Sequence, residues 1–265
     1  MDYKLEGQDL QQLNYGTSDA LEMTASFWIK SNKIGTYVFW LYQYDDSRQV
    51  QVQYTINSSD TWEYKTLVIP RDATGVIDND NGAGLVLRFI MGSGSNYTGG
   101  TAPVAWQGLV DANRYVGQTV NLADSTSNYM NLTGFQLELG KVATPFEHRS
   151  YGEELALCQR YTYVIDGPTA GDRVGDGFSY STTGVIATIP FPVKMRAKPT
   201  LEGTPSQVTF NDSIAGTNSS AISLNGSNTH FGSLNVTVSA TAFHGGQVYF
   251  SNNTADNKII FKAEL

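Results

Sequence analysis

Short runs in which apolar residues recur at every second position, cut apart by clusters of Gly, Asn, Ser and Asp, constrain this chain most. In "VQVQYTIN", Val50, Val52, Tyr54 and Ile56 fall on one side, with Gln51, Gln53 and Thr55 on the other. "GLVLRFIMG" sets Leu85, Leu87, Phe89 and Met91 against Val86, Arg88 and Ile90, and "GFQLELG" sets Phe135, Leu137 and Leu139 against Gln136 and Glu138. A period of two is the period of a pleated strand, so these segments read as half-buried strands. "ASFWIKS" and "TYVFWLYQY" are apolar at both parities, the pattern of strands covered on two sides. Between the runs lie "INSSDTW", "DNDNGAG" and "GSGSNYTGG", rich in residues that tolerate turn backbone. Many short strands joined by such turns imply an all-β chain built as β-sandwiches.

The same style resumes after about residue 163. "GVIATIPFPV" alternates Val185, Ala187, Ile189, Phe191 and Val193, with Pro190 and Pro192 on the opposite parity. Proline donates no ladder bond, so this segment is expected at a sheet edge. "LNVTVSATA" turns Val236 and Val238 inward, and "KIIFKAEL" alternates Ile259, Phe261, Ala263 and Leu265 in a final strand. A length of 265 residues suits two domains. The expected division is a jelly-roll-like sandwich over 1–150, a short helical linker over 151–162 and a second sandwich over 163–265.

The linker reading comes from "YGEELALCQRY", the one helical pattern in the middle of the chain. Gly152 offers a break before it. Glu153 and Glu154 suit the positive end of a helix and Arg160 the negative end. Leu155 pairs with Cys158 at i,i+3 and Leu157 with Tyr161 at i,i+4. So short a helix is unstable alone in water. Leu155, Leu157, Cys158 and Tyr161 are therefore expected at a contact, on the helix's own domain or between symmetry copies.

Charge and motifs exclude several functions. The net charge of −8 opposes a nucleic-acid partner, which calls for a Lys/Arg surplus. No apolar run approaches the roughly 20 residues of a membrane helix, and the start "MDYKLEGQDLQQLNYG" lacks the apolar core of a secretory signal. The lone Cys158 forms no intrachain disulfide. His148, His230 and His244 share no metal-protease spacing and no G-x-S-x-G elbow occurs. Glu138 and Glu147 could be imagined as a glycosidase pair, but 25 carboxylates produce such pairs by chance. No catalytic residue is assigned.

Two constellations stand out as binding candidates. Trp40, Tyr42 and Tyr44 share one parity in "FWLYQYDD", where they could stack on sugar rings while Gln51, Gln53, Arg88 or Gln136 bond the hydroxyls. The competing reading makes Trp40 core and the tyrosines ordinary strand residues. Trp28 and Trp62 read as core. In "DNDNGAG", Asp78 and Asp80 offer the hard oxygen ligands calcium takes. The glycine stands fifth and no glutamate stands twelfth, so this is no EF-hand, and a solvated turn competes.

The stretch "TGFQLELGKVATPFEHRSYGEELALCQRY" (133–161) resembles a junction found in phage virion proteins of the tail-fibre family: a G-x-QLE-x-G strand, ATPFE, then a YGEELALCQRY helix. The likeness extends to "GTSDALEMTASFWIKSNKIGTY", "SSDTWEYKTLVIP", "DNDNGAGLVLRFIMGSGSNY" and "FPVKMRAKPTLEG", together most of residues 15–205. It does not extend to the last sixty residues. The resemblance implies a carbohydrate-binding jelly roll in the first half and a place on the virion, at tail or head, after synthesis in the host cytoplasm. It further implies a homotrimer with other virion proteins and a host-surface polysaccharide as partners, without membrane insertion. Such modules often hold a structural calcium; no other cofactor is implied, and no defined set of binding residues is carried over. The chain opens without the long virion-anchoring region of many tail fibres, a departure from the family pattern. The expected function is a receptor-binding appendage that recognises a host-surface glycan without catalysis. The alternative is a head-decorating or capsid-stabilising protein with no receptor role.

Overall fold

The computed structural model describes residues 1–203, 208–212, 216–251, 253 and 257–265. The protein is all-β, and its chain divides into two compact units, Met1–His148 with Leu265, and Arg149–Glu264.

The first unit contains β1 (Asp2–Glu6), β2 (Met23–Ser31), β3 (Gly35–Gln43), β4 (Arg48–Ile56), β5 (Glu63–Ile69), β6 (Ala83–Phe89), β7 (Gln107–Gly108) and β8 (Met130–Leu139). They form two antiparallel sheets, ordered β1-β6-β3-β4-β7 and β5-β2-β8. The chain changes sheet after β1, β2, β4, β5 and β7, which gives a jelly-roll-like sandwich. Its core lies between the sheets. Phe27 and Ile29 of β2 face Tyr37, Phe39 and Leu41 of β3, Val50, Tyr54 and Ile56 of β4, and Leu85, Leu87 and Phe89 of β6. Phe27 and Phe89 meet edge to face, with ring centroids 5.1 Å apart.

The period-two readings of β4 and β6 hold, and Phe135 and Leu137 of β8 pack on the same core. Met91 and Leu139 do not follow their runs inward. Met91 lies past the end of β6, Leu139 is the last residue of β8, and both are exposed. β3 is buried at both parities, because Val38 and Trp40 of its outer face join Val86, Ile90 and Tyr115 in a second, smaller cluster. β2 is not. Trp28 is 46 % exposed and Trp62 is 42 % exposed, so neither is core. Trp28 stands on the parity opposite Phe27, beside Tyr64 of β5 at 5.3 Å, and Trp62 precedes β5 with the Lys30 ammonium 5.4 Å from its ring. Aromatic surface there is shielded by neighbouring side chains rather than by a second layer.

The second unit begins with α1 (Tyr151–Gln159) and continues with β9 (Thr162–Asp166), β10 (Arg173–Ser179), β11 (Gly184–Pro190), β12 (Thr200–Gly203), β13 (Val208–Asn211), β14 (Gly216–Asn218), β15 (Ala221–Leu224), β16 (Phe231–Thr237), β17 (Gly245–Phe250) and β18 (Lys258–Lys262). A seven-stranded sheet, β14-β13-β17-β10-β11-β16-β15, accompanies a three-stranded one, β12-β18-β9. Val185, Ala187 and Ile189 pack with Leu234, Val236, Val248, Phe250, Ile259 and Phe261, as the alternation requires. β11 is an inner strand, contrary to the expectation from its prolines. Its pairing with β10 runs only from Val185 to Ala187, so Pro190 lies beyond that ladder, opposite Phe231 of β16. The missing N–H of Pro190 is therefore not needed by β10.

The helix starts at Tyr151, one residue before the glycine taken as its break. Ser150 caps it. The Ser150 hydroxyl accepts from the Glu153 N–H at 3.3 Å, and the Glu153 carboxylate accepts from the Ser150 N–H at 2.9 Å. That reciprocal pair settles the boundary, with Gly152 inside the first turn. Leu155, Leu157 and Cys158 are exposed and Tyr161 is half-buried.

Candidate functional site

The outward parity of β3 carries Val38, Trp40 and Tyr42, and Tyr44 follows in the β3–β4 turn. Beside them stand Val86 and Arg88 of β6 and Gln49, Gln51 and Gln53 of β4, placed there by antiparallel registers that set Trp40 opposite both Gln51 and Arg88. Residues 109–120 run along this face as a strap. The strap is held by backbone and by glutamines. Thr119 N donates to Thr36 O at 3.0 Å and Leu109 N to Ser47 O at 2.9 Å. The Gln118 side chain accepts from Val38 N at 2.7 Å. Gln49 donates to Val110 O at 3.1 Å, and Gln51 and Gln53 both donate to Val116 O, at 2.7 and 3.0 Å. Gln51 and Gln53, expected among the sugar-binding residues, thus fasten the strap through their Nε2 groups and do not line the pocket beside it. Gln136 is elsewhere, on β8, where its Oε1 accepts from Glu147 N at 2.7 Å.

Where the strap ends its cover, a pocket of about 210 Å³ opens, lined by Trp40, Tyr42, Tyr44, Arg88 and Arg114, with Val86 and Leu109 as apolar neighbours. Trp40 is its floor. Only 2 % of Trp40 is exposed, and its Nε1–H donates to Gln49 Oε1 at 3.0 Å. Tyr42 lies parallel to it, 5.5 Å away and 6° from coplanar. Tyr44 meets Tyr42 edge-on at 5.0 Å and is 38 % exposed. The aromatic series continues from buried floor to open rim, and the two tyrosines are the members a ligand can reach.

Two guanidinium groups flank the floor. Arg88 Cζ lies 5.2 Å and Arg114 Cζ 5.5 Å from the Trp40 ring centre, within cation–π range. Arg88 is fully engaged: Nε and Nη2 donate to the two Asp2 oxygens at 2.8 and 2.5 Å, and Nη1 donates to the Tyr115 hydroxyl at 2.9 Å. The bond to Asp2 raises the Arg88 pKa further, and the bond from Arg88 holds Asp2 below the ordinary carboxylate value. Arg114 is held otherwise, between the Trp40 and Tyr97 rings, each 5.5 Å from its Cζ, with Nη2 paired to Asp111 at 2.6 Å.

This chain finds no significant match among protein-family models, curated proteins or solved structures. The reading of the site rests on its own chemistry.

Of the residues the sequence singled out, Trp40, Tyr42, Tyr44 and Arg88 come together in one pocket. Arg114 and Leu109 are the members sequence reasoning missed. They lie in "LVDANRYVG", which has neither strand period nor motif. The available signal was the length of the connection between recognisable strands, since long connections in compact domains are commonly functional.

Asp78 and Asp80 serve a turn. Asp80 Oδ1 accepts from Gly82 N at 2.8 Å, Asp80 O accepts from Gln8 N at 2.7 Å, and Asp78 N donates to Asp45 Oδ2 at 3.0 Å. The turn packs so closely on Gly7 that a Cβ there would lie 2.2 Å from Asp78 O. Among the described residues, no three His, Cys, Asp or Glu side chains are grouped to hold a metal. A second depression in this unit, about 340 Å³, is lined by Ala20, Leu21, Glu22, Arg71 and Lys141. It is larger, but it has no aromatic member and its Lys141–Glu22 pair, 3.0 Å, is solvent-exposed at the lysine, so its chemistry is that of ordinary surface.

Proposed function

We propose that this protein is a phage virion appendage, a tail-fibre subunit that recognises a host-surface glycan through the pocket of its first unit and performs no catalysis. The observation that supports glycan recognition is the graded aromatic series, with Tyr42 and Tyr44 presented at the mouth of a small pocket beside guanidinium donors, while the virion placement rests on the resemblance of residues 133–161. Sugar rings offer apolar C–H faces rimmed by hydroxyls, and an aromatic shelf with planar donors is complementary to both. At about 210 Å³ the pocket is below the roughly 300–1,000 Å³ of sites for drug-sized ligands. It suits one sugar ring, so single-site affinity is weak and repeated copies on the virion supply avidity. The appendage is made in the host cytoplasm, assembles as a homotrimer and docks on other virion proteins.

Immunogold labelling of intact virions with antibody to this chain tests the location. Gold at the tail is the expected outcome. Gold over the head would replace this reading by the head-decorating one, and unlabelled particles would end the virion assignment. On tail-labelled virions, Tyr44→Ala should weaken host adsorption. Truncating a central aromatic anchor costs about 2 kcal/mol, roughly thirtyfold per site.

A further inference from the structure

Arg88 and Arg114 share one pocket but differ in what remains for a ligand. Each of the three nitrogens of Arg88 already makes a hydrogen bond, to Asp2 or to Tyr115. Arg114 makes one ion pair, Nη2 to Asp111, and that aspartate's side chain is 67 % exposed. An exposed pair of this kind is worth little and is readily exchanged. Its Nε–H is buried without a hydrogen-bond partner, and its ion pair uses Nη2 alone. The guanidinium is nonetheless held still, between the Trp40 and Tyr97 rings. A fixed, planar, under-satisfied guanidinium is preorganised for a two-point contact with an oxyanion.

The remaining polar inventory agrees. Guanidinium groups donate and never accept, no carboxylate lines the pocket, and the two nearest its arginines are paired to them, Asp2 to Arg88 and Asp111 to Arg114. A neutral sugar, whose hydroxyls both donate and accept, finds no acceptor on Arg114 itself, and the Asp111 carboxylate beside it is already paired to Nη2. A ligand rich in acceptors needs none. The chain as a whole is acidic, at −8, so this local excess of donors runs against the general surface.

We infer that the pocket takes an acidic saccharide, one carrying a carboxylate or a sulfate, whose anionic group is received by Arg114 while its ring lies on Tyr42 and Tyr44. This rests on the glycan-binding reading of the same site. The anion displaces Asp111 from Nη2 and gains Nη1, forming the two-point contact that Asp111 alone does not make.

Isothermal titration of the intact chain with matched saccharide pairs tests it. The probes are hexuronate oligosaccharides and the same chains after carboxyl reduction, and sulfated galactan oligosaccharides and the same chains after desulfation. At least tenfold tighter binding of an acidic member is expected, and the pair that shows it identifies carboxylate or sulfate. Arg114→Gln should bring the acidic member's affinity down to that of its neutral counterpart, and Arg114→Lys should restore only part of the difference. Tyr44→Ala should weaken acidic and neutral members alike. Thermal melts of each variant separate lost binding from lost fold. Equal binding of both members of every pair, still dependent on Tyr44, would overturn the acidic preference and keep the glycan site. No binding to any member would overturn both.

Discussion

Asp72 is only 2 % exposed, yet it is not an isolated buried charge. Its Oδ2 accepts from Arg48 Nε at 2.6 Å, and its Oδ1 accepts from Arg48 Nη2 at 3.1 Å, from Thr74 N at 3.0 Å and from Gly75 N at 3.1 Å. Arg48 also donates to Trp106 O at 3.1 Å, so one ion pair joins β4, the turn after β5 and the beginning of β7. Burying such a pair gains little over an apolar replacement of both partners, but removing one partner strands the other. Asp72→Ala leaves Arg48 with Trp106 O as its remaining acceptor and no counter-charge, and strips two turn amides of theirs. The expected loss is about 3–5 kcal/mol, read as a fall in the urea midpoint of the first unit. A loss below about 1 kcal/mol would mean that solvent satisfies Arg48 in the variant.

Between β4 and β5 the chain is tied by a single carboxylate. Glu63 accepts from Asn57 N at 2.7 Å, Ser58 N at 2.8 Å, Asn57 Nδ2 at 3.1 Å and Lys65 Nζ at 2.6 Å. Burial pushes its pKa up, but the donors together outweigh burial and hold it at about 2, against 4.5 when free. The folded value lies below the unfolded one. Its contribution to stability is therefore complete above about pH 4.5 and is lost as the pH falls towards 2. Denaturation midpoints measured between pH 5 and 2 should drop less steeply for Glu63→Gln than for the unmodified chain, and equal slopes would refute the tie. Other carboxylates held low, such as Asp2 and Asp124, remain in both proteins and cancel in that difference. Strand elements such as β4 and β6 were legible in the sequence because the pleat has a period of two, but parity names a side without saying what covers it. Trp28 and Trp40 show this. Each stands among apolar residues at both parities, yet Trp28 is 46 % exposed and Trp40 only 2 %. The difference is the strap of residues 109–120, which has no period of its own and lies over the sheet that carries Trp40. The same strap brings Arg114 to the pocket and occupies Gln51 and Gln53. Half the candidate site was thus written in β3 and β6, and the other half depended on a non-local path no local pattern encodes.

At the scale of the whole molecule, two units each bury their own core, while α1 buries none of its apolar side chains within its chain. A capping box gives this nine-residue helix a defined start, but isolated helices shorter than about 12 residues are marginal in water. Leu155 and Leu157 are 40 % and 48 % exposed. In the proposed homotrimer they meet their copies around an axis, and burying them there at about 25 cal/mol per Å² of apolar area supplies the stability the helix lacks. Sedimentation of the intact chain should accordingly give three times the chain mass, and Leu155→Glu combined with Leu157→Glu should reduce it to one. Both side chains lie outside the core of either unit, so the variant should keep a cooperative thermal transition for each unit while it loses the trimer. The monomeric variant also separates the two contributions to host attachment. Its affinity for a soluble saccharide should equal that of the trimer, because the pocket lies entirely in the first unit. Its retention on a glycan-coated surface should fall by about 10²–10⁴ as multivalency is lost. An unmodified chain that sediments as a monomer at every concentration would remove α1 from the assembly, and surface attachment would then rest on single-site affinity alone.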